Sequence, residues 1–376
     1  MHFNLLLVLT VLLRQATALV LPPSLSTSSS LGKFSARTVF QFPNGYWLEN
    51  LAVRGNGAVL ATTYMPIAGL YEIDPVPPAS YPAVLVHQFE GSTSALGIVE
   101  AEGTEPDTFY LATLNFSAAD GFLPRTSQVW RVDMSSTEYS PQTGQVSGKA
   151  AVEQVTTLSS VLMANGMTLL AKDEDHILIA DSLRGLIWDL DTATGKYGLS
   201  SSAPAMASDN PARRFLGIDG VKVQQGSLYF NNAGERTLGR MPIHEDGEAK
   251  GEPVVLATDV YSDGFCLYDA DTALVTMNID NSLAALSLES HRRWMVAGNP
   301  VDSVFTTPTS VELGRGEKAY KLAYVTMGGT YVATGAEVLV GGSLVVVDLK
   351  SATTDPKGTG RGGLLVQETE TIWLEL

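Results

Sequence analysis

Asn165-Gly166-Met167, then Ile177-Leu178-Ile179-Ala180-Asp181, then Leu186-Ile187-Trp188-Asp189-Leu190 is the stretch whose reading decides the fold. An Asn-Gly step leads into one apolar run, a turn follows, and two more short runs come next, the last carrying an Asp among its apolar residues. Short β-branched and aromatic runs bounded by Gly, Asn and Asp are strand signals, and none of these runs has the 3.6-residue period of a helix. The same grammar recurs upstream as Glu49-Asn50-Leu51-Ala52-Val53, Val59-Leu60-Ala61-Thr62-Thr63 and Gly69-Leu70-Tyr71-Glu72-Ile73-Asp74. It recurs again from Ala95-Leu96-Gly97-Ile98, through Phe109–Thr113, to Val129-Trp130-Arg131-Val132-Asp133. Downstream, Asp219-Gly220-Val221, Asp263-Gly264-Phe265 and Pro308-Thr309-Ser310-Val311 open three further copies.

Six copies, about 45 to 70 residues apart, predict an all-β, six-bladed β-propeller, each blade a four-stranded sheet. A two-sheet sandwich is the alternative, but it offers no reason for the apolar-Asp ending to recur. Ring closure is expected to pair Thr38–Phe42 with the last blade, with Glu368–Leu374 as another late strand.

Residues 1–18 read as a signal peptide. The apolar stretch Leu5–Leu13 is too short to span a bilayer, which needs about 20 residues, and Ala16-Thr17-Ala18 fits small-x-small cleavage. Residues 19–35, rich in Ser and Pro, read as a flexible leader, and residues 36–376 as a single propeller domain. The expected location is therefore the secretory pathway or the extracellular space. The single cysteine, Cys266, cannot form an intrachain disulfide and reads as a buried inert thiol. Asn115-Phe116-Ser117 is an acceptor sequon, making Asn115 a glycosylation candidate. A net charge of −16 argues against nucleic acid and anionic membranes as partners. No transmembrane span is expected, and oligomeric state is left open.

In a propeller the innermost strand of each blade lines the central channel, so the loops leading into those strands converge on one mouth. The six leading positions are Glu49, Ala95, Asn165, Asp219, Asp263 and Thr309, a set rich in oxygen ligands for a hard cation. Asn165-Gly166 and Asp219-Gly220 can equally be tight turns. Nothing resembles a serine-hydrolase elbow or a His-Glu-x-x-His zinc motif, and the Gly358–Gly363 cluster lacks the Lys-Ser/Thr of a phosphate loop.

Trp47-Leu48-Glu49-Asn50-Leu51, Ala164-Asn165-Gly166-Met167, Ile179-Ala180-Asp181-Ser182 and Ile218-Asp219-Gly220-Val221 together resemble the gluconolactonase, or senescence-marker-protein-30, propeller superfamily. The resemblance covers nearly all of the chain after the leader. It implies a divalent metal, such as calcium, on Glu49, Asn165 and Asp219, and with it a metal-dependent lactonase or hydrolase. The chain departs from that pattern at Leu48-Glu49-Asn50, where the metal-dependent hydrolases carry Glu-Gly-Pro.

The stretch from Phe42 through Trp47-Leu48-Glu49-Asn50 to Arg54, with the secretory leader, resembles more closely a fungal secondary-metabolite branch of this fold that includes the hetero-Diels–Alderases of tropolone sesquiterpenoid assembly. That resemblance implies a pericyclase joining a tropolone o-quinone methide to a humulene-type sesquiterpene, with no required cofactor. Its partners would be apolar small-molecule substrates. The polar candidates are Glu49, Asn50, Asn165, Asp219 and Asn232. The substrate-binding candidates are Tyr46, Trp47, Tyr64, Met167, Phe265, Thr309 and Met327. A non-catalytic small-molecule-binding propeller is the third class that stays open.

Overall fold

The computed structural model describes residues 34–352, apart from 76–82, 102–106, 118, 141–144, 171–172, 209–215, 302–303, 317–320 and 333–336. The signal peptide, most of the leader and the late strand expected at Glu368–Leu374 lie outside the described residues.

Six four-stranded antiparallel sheets follow one another around a ring. Their innermost strands are Trp47–Val53, Ser94–Glu100, Ala164–Leu170, Ile218–Gln224, Ser262–Leu267 and Pro308–Leu313, in blades I to VI. The protein is thus the six-bladed propeller that the repeats predict. Blade VI takes its outermost strand from the start of the chain: Phe34–Gln41 pairs antiparallel with Ser343–Ala352. This first described strand takes in Phe34 and Ser35, the last two residues of the expected leader, and it latches the ring.

The core is divided among the blade interfaces. Leu60, Leu70 and Phe89 of blade I pack on Phe109, Leu111 and Val132 of blade II, while Val129 and Leu158 of blade II pack on Ile177, Ile179 and Leu190 of blade III. The ring closes through Leu48, Leu51 and Val59 of blade I against Tyr324, Leu344 and Val346 of blade VI. Alternating strands that are apolar on both faces allow this, because each sheet is covered by its two neighbours. Cys266 is buried in one such layer, between blades V and VI.

Beyond the four-stranded blades, three short hairpins lie among the described residues: Thr330–Val332 with Glu337–Val340 in blade VI, and two in blade II. One of the blade II pair is Phe116–Ser117 with Gly121–Phe122, at the mouth end of the ring. The other, Glu138–Ser140 with Gln145–Ser147, leaves the opposite end. Among the described residues no helix is long and apolar enough to cross a membrane.

Candidate active site at the mouth of the channel

The innermost strand breaks register with its neighbour at the same place in every blade. In blade I, Leu48 pairs with Thr63 and Leu51 with Ala61, so Glu49 and Asn50 together oppose Thr62. Leu96-Gly97, Asn165-Gly166, Asp219-Gly220 and Asp263-Gly264 are extruded in the same manner in blades II to V. In blade VI Thr309 alone is extra. Two residues against one is a β-bulge, a device that re-aims side chains, and here six of them turn one residue each toward the channel. Blade II differs from expectation by one position: Ala95 pairs with Thr113 and lies in the core, and Leu96 takes the extruded place. Because side chains alternate along a strand, a one-residue shift exchanges a core residue for a channel residue.

A hydrogen-bonded girdle holds the bulges. Thr62 Oγ1 bridges to Asn50 and donates to Leu96 O of the next blade (2.7 Å). Asn231 accepts from Gly220 N and donates to Ser262 O. Thr276 Oγ1 donates to Gly264 O and Thr309 O, and Thr326 Oγ1 to Glu49 O. The equivalent positions in blades II and III are Ala112 and Ala180, and there close backbone approach replaces the side-chain link. A Cβ on Gly97 would lie 1.9 Å from Asn165 O, so only glycine lets those blades meet.

On this girdle sits a network running from Asn50 Nδ2 to Asn165 Oδ1 (3.3 Å), and from Asn165 Nδ2 to Asp219 Oδ1 (2.5 Å). Ser182 Oγ also donates to Asp219 Oδ1. Asn278 Nδ2 donates to Asp263 Oδ2 (3.0 Å), and Trp47 Nε1 to Glu49 Oε2 (2.8 Å). Glu49, Asn165 and Asp219 are all buried.

Three carboxyl groups thus share the mouth, and none of them forms an ion pair among the described residues. Burial, and after it the charge of Asp219, pushes Glu49 up to about 8. Burial raises Asp219 despite hydrogen bonds from Asp263, Ser182 and Asn165, and burial together with Glu49 and Asp219 raises Asp263 well above its ordinary value. Like charges crowded in a low dielectric cannot all ionise, so protons stay on some of them at neutral pH. Asp219 Oδ2 is buried with no hydrogen-bond partner.

The donor set fits a hard divalent cation: carboxylate and amide oxygens without a competing base, and one carboxylate oxygen left over. Among the described residues, however, no three Asp, Glu, His or Cys side chains converge as a ready cage. Amide oxygens such as that of Asn165 would have to complete the shell.

An aromatic wall faces this acidic floor. Trp47 stands edge-on to Tyr64 (6.2 Å between centroids), which in turn packs on Phe116 (5.5 Å) and Phe122 (6.4 Å) of the blade II hairpin. Leu96, Leu114 and Met163 lie beneath them, with Leu183 and Leu216 alongside. Burial, and then the Glu49 charge, pushes the Tyr64 hydroxyl upward. The Trp47 ring lies so flat against Gly328 of blade VI that a Cβ there would come to 2.6 Å.

The structure sorts the sequence candidates. It gathers Glu49, Asn50, Asn165 and Asp219 together, adds Asp263 to them, and puts Trp47 and Tyr64 in the adjoining wall. Thr309 belongs to the girdle, donating to Leu48 O. Asn232 is committed elsewhere: its Nδ2 donates to Ala205 O and Ala207 O, and its Oδ1 accepts from Glu235 N, so it orders a loop. Met167, Phe265 and Met327 are core residues between blades rather than lining. Tyr46 packs on Phe42 and Tyr71 in the closure between blades VI and I. Asn115 is at the base of the hairpin, its Oδ1 accepting from Thr93 N. Sequence reasoning missed Phe116, Phe122, Leu183 and Leu216. Their one signal was an apolar pair, Phe116 and Phe122, inside a loop otherwise made of turn residues.

The same arrangement of blades occurs in solved structures of low sequence identity. Regucalcin of Agrobacterium tumefaciens, titled a calcium-binding protein, superposes with a TM-score of 0.54 at 14% identity, covering 84% of this chain and 96% of that one. A luciferin-regenerating enzyme superposes with 0.55 at 12% identity, covering 84% and 95%. These likenesses establish the fold. In sequence, the chain is 28% identical over 320 residues to a Phoma sp. protein named "Putative hetero-Diels-Alderase", covering 77% of this chain and 86% of that protein. It resembles the hetero-Diels–Alderase group. A Sarocladium schorii protein of the same designation is 27% identical over 332 residues, covering 80% of each. No known family profile matches the chain.

Proposed function

We propose that the protein is a hetero-Diels–Alderase, joining a tropolone o-quinone methide to a humulene-type sesquiterpene at the channel mouth. One observation supports this reading above others: the mouth is divided into a proton-bearing acidic floor and an aromatic wall, with Trp47 belonging to both. The similarity to named hetero-Diels–Alderases agrees with it.

A hetero-Diels–Alder addition needs no nucleophile. The oxadiene and the alkene exchange three π bonds for one C–C bond, one C–O bond and one relocated π bond, and no atom leaves. Confining two reactants in contact removes much of the entropic cost of their encounter. A hydrogen bond to the oxadiene oxygen draws electron density away from it, most strongly as that oxygen gains charge in the transition state. A carboxyl held protonated near neutrality, as burial and the Asp219 charge favour for Glu49, is such a donor. The Asn50–Asn165–Asp219 chain keeps the floor fixed.

The unpartnered Asp219 Oδ2 favours a second reading, a metal-dependent lactonase. Glu49, Asn165 and Asp219 would hold the cation, which would supply Lewis-acid polarisation of a carbonyl. Export of the protein is part of the main proposal and rests on the leader sequence alone.

The test is incubation of mature protein with a humulene-type alcohol and a tropolone quinone-methide precursor, with and without chelator, read by chromatography and mass. The expected result is chelator-resistant adduct above the spontaneous background. Trp47→Ala should lower the rate by about thirtyfold or more, because it removes both ring and floor contact. Glu49→Gln, which keeps an N–H donor, should cost only about threefold. Loss of turnover on chelation, with Glu49→Gln abolishing it, would move the assignment to the lactonase.

A further inference from the structure

We infer that the blade II hairpin is the specificity element of this site: Phe116 and Phe122, with Tyr64, Leu183 and Leu216, bind the apolar alkene partner, and the acidic floor binds the polar heterodiene. The inference rests on the proposed two-substrate reading of the mouth.

The hairpin is extra to the propeller. Four strands complete blade II without it, and its residues are inserted between the second strand, Thr108–Leu114, and the third, Gln128–Asp133. Its base is locked twice, by Leu123 N to Asn115 O (2.8 Å) and by Asn115 N to Thr126 Oγ1 (3.0 Å), and Thr93 Oγ1 accepts from Phe116 N. Such anchoring orders a loop whose two aromatic rings, 5.1 Å apart, stay half-exposed at the mouth. Antiparallel alternation brings to this one end the last residues of second strands and the first of innermost ones. Tyr64 closes blade I's second strand, Leu183 follows that of blade III, and Leu216 precedes the innermost strand of blade IV.

The cluster therefore spans from blade I to blade IV across the opening, with Leu96 as its floor. Leu96 is the one aliphatic side chain among the six extruded positions, and it is the one directly beneath the hairpin. Apolar wall and polar floor are thus aligned sector by sector. A hydrocarbon ring or chain is the occupant whose burial gains from that wall, since it carries no polar group left without a partner there. A planar oxygen-rich ring instead finds polar partners on the floor, at Glu49 and Asn50.

The experiment measures binding by ultrafiltration and mass detection, using α-humulene and tropolone as separate probes on full-length mature protein. The variants are Phe116→Ala/Phe122→Ala and the conservative Phe122→Leu. Expected is about a tenfold or greater weakening of α-humulene binding in the double variant. Phe122→Leu should restore most of it, and tropolone binding should stay within twofold. A melting curve separates loss of the wall from loss of the fold. Equal weakening of both probes in a folded variant, or no change in α-humulene, overturns the inference. So does a wild-type protein that does not bind α-humulene. If wild type forms adduct and the double variant forms it with an unchanged KM for the sesquiterpene, the hairpin assignment fails while the cycloaddition stands. If wild type binds both probes as described and forms no adduct, the cycloaddition fails and the wall assignment stands.

Discussion

The two ends of the channel are built by the same six strands and carry opposite electrostatics. At the mouth, Glu49, Asp219 and Asp263 crowd together with amides and hydroxyls around them, and no basic side chain pairs with them. Toward the far end, Glu72, Asp107, Glu312 and Glu100 each have a basic partner. Arg54 pairs with Glu72 (2.5 Å) and with Asp107, and donates to Met134 O and Thr137 O. Lys222 pairs with Glu312 across the channel from blade IV to blade VI, and Arg315 with Glu100 from blade VI to blade II. Compensated charge ties blades together. Uncompensated charge costs stability, and a fold that retains it does so where chemistry is done. The contrast singles out the mouth as the candidate site without reference to any relative.

The sharpest way to break the comparison is to remove compensation at the far end. Arg54 is 1% exposed and Glu72 is fully buried. Replacing Arg54→Leu strands Glu72 and takes from Asp107 its basic partner. Breaking a buried pair from one side costs about 3–5 kcal/mol. Denaturant unfolding should show that loss, while the residual folded protein keeps mouth binding unchanged. A loss under about 1 kcal/mol would mean that the two ends do not differ in the way described.

The next test acts at the mouth and has the opposite sign. Glu49 carries a folded-state value of about 8, above its ordinary 4.5. Between those two values the folded state binds more protons than the unfolded one, so stability falls as pH rises. The contribution is fully present below about pH 4.5 and is lost by about pH 8. In chelator, the loss across that window should be on the order of 5 kcal/mol. Glu49→Gln should flatten the curve and make the protein more stable than wild type at pH 8. An unchanged pH slope in Glu49→Gln would show that Glu49 is not held protonated. A divalent cation that binds the floor would reverse the trend, and its effect on melting would be read directly.

The fold was legible because a propeller repeats itself: Asn165-Gly166, Asp219-Gly220 and Asp263-Gly264 mark bulges that the structure places in register. The polar floor was legible for the same reason. Less visible was anything that depended on side-chain parity. Ala95 and Leu96 are neighbours, yet only the bulge decides which one faces the channel. Asn231 and Asn232 are also neighbours, and the one chosen from sequence orders a loop while the other holds the girdle. Met167, Phe265 and Met327 misled because core layers lie between blades, directly behind the extruded positions, so core and lining alternate within two residues. The wall was legible only in part, at Trp47 and Tyr64. Its members come from blades I to IV, and no local pattern announces a contact among Tyr64, Phe122 and Leu216.

The smallest expected effect comes from the cross-channel pair, and it sharpens the comparison because solvent reaches both partners. The Lys222 and Glu312 side chains are 30% and 27% exposed. Burial alone would lower the Lys222 ammonium, but Glu312, and with it Cys266, holds it above its ordinary value. A pair screened to that degree contributes about 1 kcal/mol or less. Lys222→Met should therefore shift unfolding only slightly. Double replacement, Lys222→Met with Glu312→Gln, should recover most of the loss, because no unpaired charge is left. If the single change instead proves as costly as Arg54→Leu, the lower channel is dry and the pair acts as a structural plug. If the double change disturbs α-humulene binding at the mouth, the two ends are coupled through the innermost strands rather than independent.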